Sequence, residues 1–404
     1  MKTSPIPSSP RAGRYVQQPS GYRAFLPEPL PPAPPIAYDG ELLTLLSDAD
    51  RDVARLDALA DLLPNPDLFV GMYVRHEAVL SSQIEGTQST LEDVLAFEAE
   101  PSHNDTPRDV EEVVNYVRAM NHGLARLADG FPLSLRLIRE IHAELMHGGA
   151  GKVRGGEKTP GEFRRSQDWI GGAGSTLATA AFVPPPPHAL MDALGALEHF
   201  LHHGRADTPL LIRCGLAHAQ FETIHPFLDG NGRVGRLLIT LLLCEAGALT
   251  RPLLYLSVFL KAHRAEYYDR LTAIRAHGHW EPWLKFFLRG VGNTARAATR
   301  TAKDIITLRD AHRAAVANQA RALALIDHLL RQPLTSAKAT ARAIGCTPPT
   351  AVRLLQDFEK RGWVREITGQ ERNRQYRYQP YVDLFRRESV ESAFDLPVHL
   401  VAAT

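Results

Sequence analysis

Twelve consecutive residues hold most of the chemistry this chain could do: His225-Pro226-Phe227-Leu228-Asp229-Gly230-Asn231-Gly232-Arg233-Val234-Gly235-Arg236. The imidazole of His225 accepts protons near neutral pH, which suits a general base. Asp229 offers a hard carboxylate oxygen of the kind Mg²⁺ takes beside a phosphate chain. Apolar runs flank the stretch, Leu210 to Phe221 before it and Leu237 to Cys244 after it, so it reads as helix, tight turn, helix. Gly230 and Gly232 clear side chains away where the second helix starts with unpaired N–H groups, and such a start binds phosphate oxygens. Arg233 and Arg236, three apart, project near that same end. A base, a metal ligand, an anion cradle and two guanidinium groups together describe phosphoryl or nucleotidyl transfer.

The stretch closely resembles the Fic family signature His-x-Phe-x-(Asp/Glu)-Gly-Asn-Gly-Arg-x-x-Arg, with every fixed position present. The resemblance implies a protein adenylyltransferase, moving AMP from ATP to a Ser, Thr or Tyr hydroxyl of a target protein and of itself. It implies ATP as co-substrate and Mg²⁺ as cofactor, with Asp229 on the metal. Nucleotide contacts fall to Gly230, Asn231, Gly232, Arg233, Val234, Gly235 and Arg236, and His225 takes the hydroxyl proton. In that scheme Asn231 holds the α-phosphate and Arg236 the γ-phosphate. A second pattern, (Ser/Thr)-x-x-x-Glu-(Gly/Asn), matches at Ser81, Glu85 and Gly86, and the resemblance makes it an inhibitory helix. Ser81 and Glu85 are four apart and share a helical face. Residues 160–171 resemble the segment ahead of a β-hairpin flap, and Ala180 to Pro184 is then the flap, with Phe182 and Val183 set to meet the target. A tyrosine of Glu266-Tyr267-Tyr268 should lie by the adenine, and Tyr268 is the choice. Other readings stay open: removal of AMP as well as its addition, or a DNA-binding regulator using the Fic-like part as a nucleotide sensor.

The elements that must position these groups are nearly all helical. Leucine and valine recur at three- and four-residue steps from Glu41 to Leu63, and further helices are expected at 68–84, 87–96, 107–127, 134–146, 189–203, 253–271 and 284–317. Leu237 to Leu243 is apolar nearly all round, so that helix should be central. Ten prolines in residues 1–40 make an extended arm, anchored by the aromatics of Gly21 to Phe25. Nine glycines break the pattern over 148–174. Gly151-Lys152 is no P-loop there, because Val153 stands where Ser or Thr is needed.

After residue 317 the pattern changes to helix, helix-turn-helix and two strands, 363–367 and 376–378, which make a winged helix. Residues 331–378 hold ten Lys/Arg against four Asp/Glu, a local net charge of +6 in a chain that is +1 overall. That permits phosphate contacts, so DNA or a protein is the partner expected of this module.

The 404-residue chain therefore divides into a Pro-rich arm (1–40), a helical region with the inhibitory helix (41–125), a catalytic core (126–317), a winged helix (318–385) and a tail (386–404). The expected fold is mainly α: a Fic-type helical bundle with a short β-hairpin flap, plus a C-terminal winged-helix domain. Three cysteines without Cys-x-x-Cys spacing suggest neither a zinc site nor a disulfide framework. No signal-like or membrane-length apolar run appears, so the expected location is cytoplasmic, with no membrane partner. A homodimer is compatible with the sequence.

Overall fold

The computed structural model describes residues 8–62, 66–99, 109–148, 159–172, 174–203, 208–371 and 374–394. The arm is not simply extended. It forms an antiparallel hairpin, β1 (Gly13–Gln17) and β2 (Arg23–Pro27), in register from Gly13 opposite Pro27 to Gln17 opposite Arg23. The counted prolines hid the alternation that makes these strands, and Phe25 of β2 is fully buried as the anchor. Arg11 ties the arm down, donating to the Pro34 and Pro35 carbonyls at 2.9 Å each and to the Glu281 carboxylate at 2.6 and 2.8 Å.

Among the described residues eleven helices follow: α1 (Gly40–Leu62), α2 (Pro66–Ile84), α3 (Leu91–Ala99), α4 (Val110–Ala128), α5 (Leu135–Leu145), α6 (Pro187–His203), α7 (Leu210–Ile224), α8 (Asn231–Glu245), α9 (Ser257–Ala262), α10 (Arg264–His277) and α11 (Trp280–Ala315). The all-round apolar pattern puts α7 and α8 at the centre: every residue from Leu211 to Ile224 and from Arg233 to Leu243 is buried. Local signals set the ends. Ser134 caps α5, its hydroxyl accepting from the Leu137 N–H at 3.4 Å. The single helix expected over 253–271 is two, broken at His263, whose backbone leaves the helical region at φ −107°, ψ 33°. Periodicity runs through the break; the packing of His263 against Phe259 (4.4 Å) and against Phe286 of α11 (6.4 Å) accompanies the turn.

The C-terminal unit is the expected winged helix: α12 (Ala320–Arg331), β3 (Leu334–Ser336), α13 (Ala337–Ala343), α14 (Pro348–Lys360), β4 (Val364–Glu366) and β5 (Gln375–Tyr378). Its antiparallel sheet has the order β3-β5-β4. The third strand, Leu-Thr-Ser, is too short to show a period of two. The tail placed at 386–404 starts inside a helix, α15 (Gln379–Phe394), whose Tyr381, Val382 and Phe385 are buried. That helix lies on the bundle, Phe385 meeting Tyr73 of α2 at 5.1 Å. Residues 395–404, and Gly151-Lys152, lie outside the described residues. Among the described residues no helix is long and apolar enough to cross a membrane.

Candidate active site

His225 ends α7 in the left-handed region, φ 49° and ψ 63°, the one non-glycine with positive φ among the described residues. Such a conformation costs about 1–3 kcal/mol and persists where its surroundings over-determine it. Arg164 supplies that constraint. Its buried guanidinium donates to the His225 carbonyl at 2.9 Å and to those of Pro185 and Ile224, while its own N–H donates to the Pro226 carbonyl at 2.9 Å. The ring nitrogen Nε2 of His225 faces Asp168, 3.7 Å from Oδ2. Burial lowers the His225 pKa to about 4, Arg164 and Arg275 add to the drop, and the Glu85 carboxylate and Glu222 carbonyl oppose it. The imidazole is therefore neutral near pH 7, in its proton-accepting form.

Gly230, at φ 79°, turns the chain into α8 in a conformation that a side chain would resist. The Asn231 side chain is buried and clipped to Phe227, Oδ1 accepting from the Phe227 N–H and Nδ2 donating to the Phe227 carbonyl, both at 2.8 Å. It thereby shapes the loop at the start of α8. His142 supports the loop from below, stacked on Phe227 at 3.7 Å. Its Nδ1 accepts from the Gly161 N–H at 2.9 Å, so Nε2 donates to the Asp229 carbonyl at 3.1 Å.

Arg233 donates to Glu112 at 3.0 Å and lies 3.6 Å from Asp229 Oδ1. Asp229 Oδ1 also accepts the Gly230 N–H at 2.7 Å. No group of three or more His, Cys, Asp or Glu gathers as a metal cage among the described residues. One carboxylate at a helix N-terminus is nonetheless a fitting donor for Mg²⁺, which binds through one or two carboxylates plus substrate phosphates and keeps its waters.

Arg236 meets the second pattern. Its Nε donates to Ser81 Oγ at 2.8 Å, and Nη2 donates to the Ser81 carbonyl at 3.0 Å and to Glu85 Oε1 at 2.7 Å. Burial alone would raise the Glu85 pKa, but Arg236, with Arg233 and His225, holds the carboxyl below its usual range. The absence of a side chain at Gly232 admits this contact: a Cβ there would stand 2.2 Å from Glu85 Oε1. One turn before Ser81, Glu77 is buried and accepts from Tyr116 Oη at 3.0 Å and from the hydroxyl and N–H of Ser257. Burial pushes Glu77 up to about 7, against the pull of Ser257, Arg236 and Tyr116. Glu222, one turn before His225, is buried with Oε1 unpartnered and is likewise pushed up to about 7 by burial, with Arg236 opposing.

The two tyrosines divide. Tyr267 is buried and donates to His218 Nε2 at 2.8 Å, the other ring nitrogen of His218 donating to the Gly235 carbonyl at 2.9 Å. Tyr268 is 40% exposed, with the Arg264 guanidinium 5.6 Å from its ring centre. The flap departs from its expectation. It is reduced to one antiparallel bridge between Ile170 and Phe182. Phe182 and Val183 are buried, Phe182 beneath Arg275 at 3.9 Å, and the Val183 carbonyl accepts the Phe25 N–H of β2 at 2.9 Å. One backbone hydrogen bond thus ties the arm to the segment expected to meet a target, and Trp169 and Ile170, next in sequence to Asp168, are exposed. Arg164 and Asp168 stood inside the flap-proximal segment, yet nothing in their spacing marked a role. Glu112 and His142 had no sequence signal, because each reaches the site from another helix, and Glu222, one turn before His225 on α7, carried none in its spacing.

Comparison with known proteins agrees with this geometry. Residues 43–125 match the Fic/DOC family N-terminal domain, 132–243 the Fic/DOC family domain, and 320–367 the IclR helix-turn-helix domain. The chain is 31% identical over 204 residues to the protein adenylyltransferase Fic of Drosophila grimshawi, covering 50% of this chain and 36% of that one. It is 32% identical over 205 residues to that of Aedes aegypti, covering 50% and 35%. The chain therefore spans about a third of the length of these curated relatives. In fold it is similar to a Fic family protein from Desulfovibrio desulfuricans G20, with a TM-score of 0.57 at 22% identity over 85% of this chain and 98% of that one.

Proposed function

For a chain that carries the N-terminal and core domains of the Fic/DOC family, followed by an IclR-type helix-turn-helix, we propose protein adenylylation under an intramolecular brake. AMP passes from ATP to a Ser, Thr or Tyr hydroxyl of a target protein and of the chain itself. The observation that carries this reading is the Ser81–Glu85–Arg236 cluster built onto an intact His225 motif. A pure nucleotide sensor needs neither the base nor a carboxylate aimed at the γ-phosphate arginine.

Neutral His225 takes the proton of the target hydroxyl, and that oxygen attacks the α-phosphorus in line. The bond to the bridging oxygen breaks, and pyrophosphate leaves with the electron pair. The start of α8 and Arg233 offset phosphate charge, so the work is positioning and electrostatics. Asp229 would hold Mg²⁺, which supplies charge neutralisation at the phosphates when bound. Glu85 and a γ-phosphate compete for one guanidinium. With Glu85 seated, ATP binds with its phosphates misaligned, and a misplacement of about 1 Å costs ~10²-fold. The free cysteines support a reducing, cytoplasmic setting. The helix-turn-helix match and the exposed Arg353 and Lys360 of α14 support duplex DNA as its partner.

The test uses α-labelled and γ-labelled ATP with wild type and Glu85→Gly. Label should reach protein from the α-position only, and strongly only in the variant. Label from the γ-position alone would make the chain a kinase, and equal incorporation by both proteins would remove the brake.

A further inference from the structure

Glu85 sits on a turn between α2 and α3, and the C-terminal unit grips both sides of it. On the α2 side, the Phe385 ring of α15 packs edge-on against Tyr73 at 5.1 Å and His76 at 5.7 Å. On the α3 side, Glu92, seven residues after Glu85, pairs with Arg386 of α15 and lies 3.5 Å from Arg377 of β5. Behind Phe385 runs a continuous column of rings. Tyr381 meets Phe385 at 5.5 Å and Tyr378 meets Tyr381 at 5.8 Å. Tyr378 donates its hydroxyl proton to or accepts one from His312 Nδ1 of α11 at 2.8 Å. His312 stacks on Trp363 at 4.0 Å, and Trp363 meets Phe358 of α14 at 4.9 Å. The column joins the second helix of the helix-turn-helix to the helix that bears Ser81.

We propose that the C-terminal unit is a clamp on the brake: α15 and the wing hold α2 and α3 in the arrangement that keeps Glu85 on Arg236. The inference rests on reading Glu85 as a brake on AMP transfer. Its sign follows from the contacts. They span the arrangement of α2 and α3 that seats Glu85 and are lost when it opens, so weakening them favours release. The motion they oppose is all-or-none, because a shift of α2 must break the Glu77–Ser257 and Ser81–Arg236 contacts together. The outer face of α14 (Val352, Arg353, Gln356, Lys360) is exposed while its inner Phe358 touches the column, so a ligand on that face is coupled to the brake.

The experiment measures α-labelled AMP incorporation by full-length wild type, Phe385→Ala, Glu92→Lys and Glu92→Lys/Arg386→Glu, with Glu85→Gly as the ceiling. Phe385→Ala and Glu92→Lys should raise incorporation about 5- to 150-fold, the range of ordinary coupling between sites. The double variant should return most of the way to wild type. Phe385→Ala added to Glu85→Gly should leave incorporation unchanged, whereas a merely structural lesion would lower it. Hydrogen exchange at residues 77–90 should quicken in both single variants. An active Glu85→Gly beside Phe385→Ala and Glu92→Lys equal to wild type overturns the clamp and leaves the enzyme reading intact. An inactive Glu85→Gly overturns the enzyme reading, and exchange alone then decides the clamp: unchanged exchange in Phe385→Ala and Glu92→Lys overturns it. Should Phe385→Ala not fold, the partly exposed Glu92 variants decide.

Discussion

His225 carries a neutral imidazole at a backbone angle that costs about 1–3 kcal/mol and that its surroundings enforce. His225→Ala should leave nucleotide affinity within a few-fold, because the cradle is backbone and arginine. Transfer by Glu85→Gly should fall about 10²–10⁴-fold when the base is lost as well. Affinity falling as far as rate would make His225 a structural residue. Arg236 gives the complementary case. The gain from Glu85→Gly depends on a freed guanidinium, so adding Arg236→Ala should cancel it, measured as α-label incorporation at saturating ATP. A gain that survives the second substitution would mean Glu85 acts on something other than Arg236.

The winged helix makes the next scale concrete. Of the ten basic residues counted over 331–378, Arg377 is committed to Glu92 and Arg361 to Asp357 at 2.9 Å. Arg331, Lys338, Arg342, Arg353, Lys360, Arg365 and Arg374 remain exposed. The full chain should bind duplex DNA at low salt, and Arg353→Ala/Lys360→Ala should weaken that binding and flatten its salt slope by roughly 2. Fluorescence anisotropy across a salt series reads both. No binding by wild type at low salt would make the module a protein-docking one. The flap is the opposite case. An edge strand is free to add a partner only while unpaired, and the arm's Phe25 already takes the Val183 carbonyl.

Across the molecule, buried histidines set the response to acid. Burial lowers His76, His142, His218, His225 and His312 to about 4, against an ordinary value near 6.5. Between those values the unfolded chain binds protons that the folded chain refuses, so stability drops as pH falls from 6.5 towards 4. Glu77 and Glu222, raised to about 7, work the other way: their contribution is full below 4.5 and is lost as pH rises to 7. Five histidines outweigh two carboxyls, so Tm should be lower at pH 4.5 than at pH 6.5. A scanning-calorimetry series with Tm higher at pH 4.5 would mean that the carboxyls dominate.

Much of this protein was legible because it is local. The twelve-residue motif, the all-apolar run of α8 and the turn signals of the winged helix act between near neighbours, and their spacing survives in the sequence. Even the Ser81–Glu85–Arg236 cluster was half visible, since Ser81 and Glu85 share a helical face. Their partner was not: Arg236 lies 151 residues beyond Glu85, and only the packing of α2 against α8 brings the two to 2.7 Å. The same holds for Arg164 bracing His225, for Asn231 turned inward to staple its own loop, for the arm strand on the flap and for Phe385 on α2. Each joins groups from separate elements. Such contacts are chosen by how helices pack, which depends on the whole apolar surface and not on the order of residues in any one stretch.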